Sequence, residues 1–286
     1  MQKYISLMRL DKPIGFMLLF WPCAWGFAYV SVGHDIDKQW FIYFTLFFLG
    51  SILMRSAGCV YNDIIDKKID QKVARTKSRP LASETISIQS AWLLIFILCL
   101  LALLILAQFN FKAILFGLSS SILILLYPFM KRITFWPQLF LGIVFNWGVL
   151  LSWLVFNDTI NLSIIFLYIS AVLWTLGYDT IYGLQDSEDD IKIGVKSTAI
   201  KFSEAIKSFI TTVYFLSFLI MLISVYLVLA KFNLMISFFL LSFLLLIYQI
   251  IHVSKNNSQK NLSLFKLNNY YGLSIFIIQI LVFHNA

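Results

Sequence analysis

Nine almost uninterrupted apolar stretches, each near the length of a bilayer crossing, leave this chain few folds to choose from. They run roughly over 14–31, 41–62, 89–108, 112–130, 137–156, 160–183, 205–230, 233–252 and 268–283. A helix needs about 20 apolar residues to span the hydrocarbon. The expected fold is therefore all-α: a polytopic bundle of nine transmembrane helices, forming one integral-membrane domain over 1–286. Composition agrees. The chain is 60% hydrophobic and 13% charged, about half the charge of a soluble domain, so its solvent is mostly lipid. Pro22 interrupts the first stretch, and the last is short. Residues 1–12 are polar and basic and run straight into the first stretch with no small-residue cleavage site. That first stretch is expected to stay as a span.

Loop charge tests the count of spans. With the N-terminus inside, only Lys38, Lys112 and Lys231 fall in outside loops, and Arg55 falls within a span. The other 18 of the 22 Lys and Arg lie in the N-terminal segment and the loops after spans two, four, six and eight. Such a bias marks the cytoplasmic side, and one missed span would scramble it. It also explains the net charge of +8 without a nucleic-acid partner. Cys23, Cys59 and Cys99 are too scattered for a disulfide framework or a zinc site.

The acids are equally uneven. Ten of the 14 gather at two inside locations: Asp63, Asp66, Asp70 and Glu84, then Asp179, Asp186, Glu188, Asp189, Asp190 and Glu204. Asn62, Asp66 and Asp70 are spaced i, i+4, i+8, one face of a continuing helix. Tyr182, Asp186 and Asp190 repeat that spacing 120 residues after the first set. Like charges one turn apart repel, and a divalent cation would offset the repulsion. The ligands are carboxylates and an amide, with no His or Cys nearby. That donor set selects a hard cation, and Mg²⁺ is the common one where phosphate is also present.

Bases surround the acids. Arg75 and Arg79 suit bidentate phosphate contacts, with Lys72, Lys77, Lys131, Lys192 and Lys196 nearby. Arg55 lies two turns before Asn62 at a depth where an unpaired guanidinium is costly. It needs a buried partner, from the first cluster or from a substrate. Carboxylates, a hard cation and bases together fit a diphosphate held at a membrane surface. An allylic diphosphate would leave its isoprenoid tail in the apolar interior, while cations stabilise the departing charge.

The segment Arg55-Ser-Ala-Gly-Cys-Val-Tyr-Asn-Asp-Ile-Ile-Asp-Lys-Lys-Ile-Asp70, continuing through Arg75-Thr-Lys-Ser-Arg-Pro-Leu81, resembles the first signature of the UbiA family of membrane prenyltransferases. Tyr178-Asp-Thr-Ile-Tyr-Gly-Leu-Gln-Asp-Ser-Glu-Asp-Asp190, through Ile193-Gly-Val-Lys-Ser-Thr198, resembles its second. Arg9-Leu-Asp-Lys-Pro-Ile-Gly15, Leu126-Tyr-Pro-Phe-Met-Lys-Arg132 and Trp136-Pro-Gln138 are similar to its hydroxybenzoate branch, as is Tyr182 where other branches carry Asn. The resemblance implies a nine-helix bundle with a cytoplasmic-facing cavity open sideways to lipid. It implies Mg²⁺-dependent transfer of a polyprenyl group from its diphosphate to 4-hydroxybenzoate, at the ring carbon meta to the carboxylate, in ubiquinone biosynthesis. It assigns Asn62, Asp66, Asp70, Asp186 and Asp190 to the metal–diphosphate site, with the four aspartates catalytic. It assigns Arg75, Arg79 and Lys131 to diphosphate contacts, and Arg55 and Arg132 to the benzoate carboxylate or further diphosphate contact. A nearby base or water is expected to remove the ring proton; Asp179 and Asp63 are the candidate side chains, and the sequence does not choose between them. The expected setting is a bacterial inner membrane, with membrane lipid around it and no obligate protein partner. Two rivals are the same fold with another acceptor (naphthoate, homogentisate, haem) and a cation-coupled transporter. A transporter would place its acids near the midplane, and these lie at span ends.

Overall fold

In the computed structural model, residues 1–229 and 237–284 are described, and among them every regular element is a helix. In chain order they are α1 (Gln2–Leu7), α2 (Ile14–Val30), α3 (Lys38–Ile65), α4 (Lys67–Asp70), α5 (Ile88–Leu106), α6 (Phe111–Ile133), α7 (Pro137–Phe145), α8 (Trp147–Leu154), α9 (Leu162–Gly183), α10 (Ser187–Ile193), α11 (Thr198–Lys201), α12 (Ile206–Leu229), α13 (Phe239–His252) and α14 (Ser258–His284). Several start on a side-chain cap that accepts an otherwise orphaned backbone N–H. Asp37 accepts from Trp40 at 2.8 Å, Asn110 from Ala113 at 2.9 Å and Asn161 from Ile164 at 3.0 Å.

Seven helical stretches are long and apolar enough to cross a membrane: α3, α5, α6, α7 with α8, α9, α12 and α14. The chain is a multi-pass integral membrane protein. The remaining two of the nine expected crossings correspond to shorter apolar helices, α2 and α13. The start of the expected eighth stretch, and Lys231, lie outside the described residues. α2 runs unbroken through Pro22. α14 begins ten residues before the expected stretch because its polar residues turn inward: Asn261 and Asn268 are fully buried. The fifth expected crossing is two helices, broken at buried Asn146, whose amide donates to Gly142 O at 2.7 Å and to Thr175 Oγ1 at 2.8 Å.

α9 is central, packed against α2, α7, α12 and α14. Trp25 and Trp174 meet at 4.9 Å between ring centroids, and Trp25 Nε1 donates to Gly272 O at 2.9 Å. A Cβ on Gly272 would fall 2.4 Å from the Trp21 ring, so α14 needs glycine there to reach α2. Polar bonds pin the same helices: Trp174 Nε1 donates to Asn268 Oδ1 (2.8 Å), Asn268 Nδ2 to Gln249 Oε1 (3.0 Å), and Tyr214 OH to Gln249 Oε1 (2.9 Å). In lipid, interhelical polar bonds of this kind replace the hydrophobic drive. α5 instead turns Leu93, Phe96 and Leu104 outward, as a lipid-facing helix does.

The charged loops sort to two ends, as the loop charges require. At one end Lys67 meets Glu84, Lys255 meets Glu204 (2.8 Å each), and Lys196 N donates to Lys131 O at 2.9 Å. At the other, Lys112 meets Asp158 at 2.6 Å and Asn110 Nδ2 donates to Leu154 O at 2.8 Å.

Candidate active site

Both acidic clusters sit where a long helix breaks. α3 ends at Ile65, Asp66 takes φ −95° and ψ 4°, and α4 restarts at Lys67. α9 ends at Gly183, Asp186 takes φ −110° and ψ 0°, and α10 restarts at Ser187. The continuing helix expected for Asn62, Asp66 and Asp70 is therefore interrupted. The i, i+4 relation survives, since Asp70 N donates to Asp66 O and Asp190 N to Asp186 O, each at 2.8 Å. The match between the clusters thus extends from spacing to backbone.

The first cluster is buried: Asp63 is 2% exposed, Asp66 0% and Asp70 5%. Arg9 Nη2 donates to both Asp63 oxygens at 2.9 and 2.7 Å. Arg79 Nη1 bridges Asp63 Oδ1 at 3.1 Å and Asp70 Oδ2 at 2.9 Å. Lys131 Nζ pairs with Asp66 Oδ2. Arg132 lies 3.5 Å from Asp66 Oδ1 and donates to Ile65 O at 3.0 Å. That Asp66 oxygen has no hydrogen-bond partner. Burial raises the Asp66 carboxyl above its ordinary value, opposed by Lys131.

The second cluster is half-exposed and held from the first. Arg75, in the loop after α4, makes a two-pronged contact with Asp186 through Nε (2.7 Å) and Nη2. Its Nη1 donates to Tyr182 OH at 3.1 Å, and its guanidinium lies 5.4 Å from the Tyr182 ring. Ala74 N donates to Asp189 Oδ2 at 3.3 Å. Burial first, then Asp186, pushes the Asp190 carboxyl up to about 6, against the pull of Lys131 and Arg75. Arg75 and Ala74 thus tie together two acidic sets that lie 120 positions apart.

Behind that end opens a cavity of about 1290 Å³. Asn62, Asp63, Arg75, Arg79, Asp179 and Tyr182 form its polar wall, and its deeper wall is apolar, with Leu46, Phe47, Leu106 and Phe145 among the lining. Asp66, Asp70, Lys131, Arg132, Asp186 and Asp190 do not line it; Asp66, Asp70 and Asp186 are closed on bases. Arg55 lines it too, but pairs with no carboxylate of the first cluster. Its guanidinium lies 5.1 Å from the Phe145 ring, and its buried Nε has no partner. A Cβ on Gly15 would sit 2.8 Å from that Nε, so glycine makes room for the group. Sequence reasoning missed Arg9 as a clamp on Asp63. The only signal was its place in the opening motif. Arg9 holds φ 59°, a left-handed backbone uncommon outside glycine.

The residues fit a hard divalent cation. The donors around the break points are oxygens, like-charged neighbours crowd Asp66 and Asp70, and a buried Asp66 oxygen lacks a hydrogen-bond partner. Among the described residues no three acidic, His or Cys side chains form a ready-made metal cage. Lys131, Arg75 and Arg79 hold the carboxylates instead.

The profile of the UbiA prenyltransferase family matches residues 19–270. The mitochondrial 4-hydroxybenzoate polyprenyltransferase of Drosophila melanogaster is 50% identical over 208 residues, 71% of this chain and 52% of that protein. The human protein of the same name is 44% identical over 212 residues, 74% of this chain and 57% of its own length. The chain thus spans about half the length of these curated relatives. Among solved structures, the apo UbiA homolog from Aeropyrum pernix K1 superposes with a TM-score of 0.77 at 22% identity, covering 93% of this chain and 97% of that one. A UbiA homolog from Archaeoglobus fulgidus bound to GPP and Mg²⁺ gives 0.63 at 19% identity, covering 96% and 99%. These two likenesses concern the fold.

Proposed function

This chain belongs to the UbiA prenyltransferase family, and from that premise we propose that it transfers a polyprenyl group from polyprenyl diphosphate to 4-hydroxybenzoate, at the ring carbon meta to the carboxylate, in ubiquinone biosynthesis. One observation carries the reading. Two carboxylate sets are closed on Lys131 and Arg75 at the polar end of a large, mostly apolar cavity. A metal–diphosphate unit has the complementary charges, cation for the carboxylates and oxyanion for the bases. Asn62, Asp66, Asp70, Asp186 and Asp190 would hold Mg²⁺, which neutralises charge on the departing diphosphate. Arg75, Arg79 and Lys131 take its oxygens, and the apolar wall takes the tail. Arg55, with Arg132, reads the acceptor's carboxylate, and Tyr182 borders the diphosphate. The 4-hydroxybenzoate acceptor is supported by the names of the relatives, and Mg²⁺ by a solved homologue of this fold.

We also infer nine crossings, with α2 and α13 completing the seven longer spans, and a cytoplasmic N-terminus and active site, from the loop charge. The relatives matched are named mitochondrial, and they give no support to the bacterial inner membrane expected from sequence. The direct test supplies membranes containing the protein with 4-hydroxybenzoate, a polyprenyl diphosphate and Mg²⁺. Mass spectrometry should find the prenylated acid, and omitting Mg²⁺ should abolish it. Product with naphthoate or homogentisate and none with 4-hydroxybenzoate would reassign the acceptor.

A further inference from the structure

Arg55 and Asp179 lie on the two helices that lead into the clusters. Arg55 precedes Asn62 by seven residues on α3, and Asp179 precedes Tyr182 by three on α9. Those separations are about two turns and one turn of helix. Both side chains line the same cavity, one tier deeper than the diphosphate end. They carry opposite charges, yet no ion pair within 4.0 Å joins them among the described residues. Asp179 makes no hydrogen bond there either, although it is only half-exposed on the central helix. A carboxylate within a membrane span is costly unless it has a partner or a task, and the cavity that both charges line has room for a ligand.

We propose that Asp179 is the catalytic base of prenyl transfer, receiving the proton that the acceptor ring loses. This rests on the function proposed above. A carboxylated phenol spans the gap, with its carboxylate on Arg55 and its ring toward Asp179 and the diphosphate tier. The bond between the allylic carbon and the diphosphate oxygen breaks, and the diphosphate leaves with the electron pair. A ring carbon forms the new bond to the allylic carbon. The proton on that ring carbon passes to Asp179, and its bond pair restores the aromatic ring. Asp63, the other acid within reach by sequence, cannot do this. Arg9 occupies both its oxygens and Arg79 holds one of them as well. Asp179 has no such competitor.

The test compares wild type, Asp179→Asn and Asp179→Glu with geranyl diphosphate, Mg²⁺ and either ordinary or ring-deuterated 4-hydroxybenzoate. Removing a general base costs about 10²–10⁴-fold. D179N should lower kcat by that order, leave KM for geranyl diphosphate within about twofold, and still release diphosphate slowly as prenol forms. D179E should recover part of the rate and show a primary deuterium isotope effect absent from wild type. Such an effect reports proton removal, which a merely structural role would not move. If D179N folds poorly, the D179E isotope effect decides alone. D179N making product within about threefold of wild type, or D179E at wild-type rate without an isotope effect, overturns the assignment. Wild-type protein that makes no prenylated 4-hydroxybenzoate overturns the proposed function instead.

Discussion

The two acidic clusters share spacing and backbone but not surroundings. Asp63, Asp66 and Asp70 are almost sealed and wired to Arg9, Arg79 and Lys131 from three parts of the chain. Asp186, Asp189 and Asp190 are half-exposed, and their main tie is one loop carrying Arg75. A buried ion pair that loses a partner leaves an uncompensated charge in low dielectric, whereas an exposed one lets water replace it. The first cluster is therefore part of the fold as well as of the site. The second is an adjustable half that the first cluster's own loop holds in place.

That contrast can be broken in four ways. Asp66→Asn should cut prenylated product about a thousandfold and Asp186→Asn about a hundredfold, in line with loss of groups that organise transition-state charge. Near-normal rates for either, by mass spectrometry of product, would break the composite site. Asp63→Ala should strand Arg9 and destabilise the protein by about 3–5 kcal/mol. Asp189→Ala should leave the thermal unfolding midpoint in detergent nearly unchanged. Equal shifts would erase the distinction between the clusters. Arg75→Lys keeps the charge and loses the two-pronged contact, so KM for the prenyl diphosphate should rise about tenfold, with the melting midpoint nearly constant. The smallest effect concerns pH. Asp190 is pushed up to about 6. It is therefore mostly ionised at pH 7.5 and mostly protonated at pH 5, and a protonated carboxyl is a poor cation ligand. Apparent Mg²⁺ affinity should fall by a fewfold to about tenfold as pH drops through 6, and Asp190→Asn should flatten that step. An unchanged slope in the variant would place the titration elsewhere.

The site was half legible in sequence for a physical reason. Helical period is local, so Asp66 with Asp70 and Asp186 with Asp190 could be paired on paper. Their companions are not local. Arg9 reaches Asp63 across 54 residues, Arg75 reaches Asp186 across 111, and Lys131 reaches Asp66 across 65. The buried cost of Arg55 was also legible, but not which of its two expected partners, the first cluster or a substrate, it would have. α3 carries it two turns below the cluster, where Phe145 and the cavity meet it rather than a carboxylate. Hydropathy placed most helices to within a few residues. It failed at the start of α14, where Asn261 and Asn268 are polar in sequence and buried by neighbouring helices.

By itself the sequence determined a lipid-solvated helical bundle, the sorting of its charged loops to two ends, and two matched acidic sets, because span length, loop charge and helical period are properties of neighbouring residues. Tertiary structure alone decided that Arg75 ties the two sets together, that bases close on Asp66, Asp70 and Asp186, and that Arg55 and Asp179 line one cavity without pairing with each other. Those are distances between helices, set by how α3, α6 and α9 pack, and no local pattern encodes them.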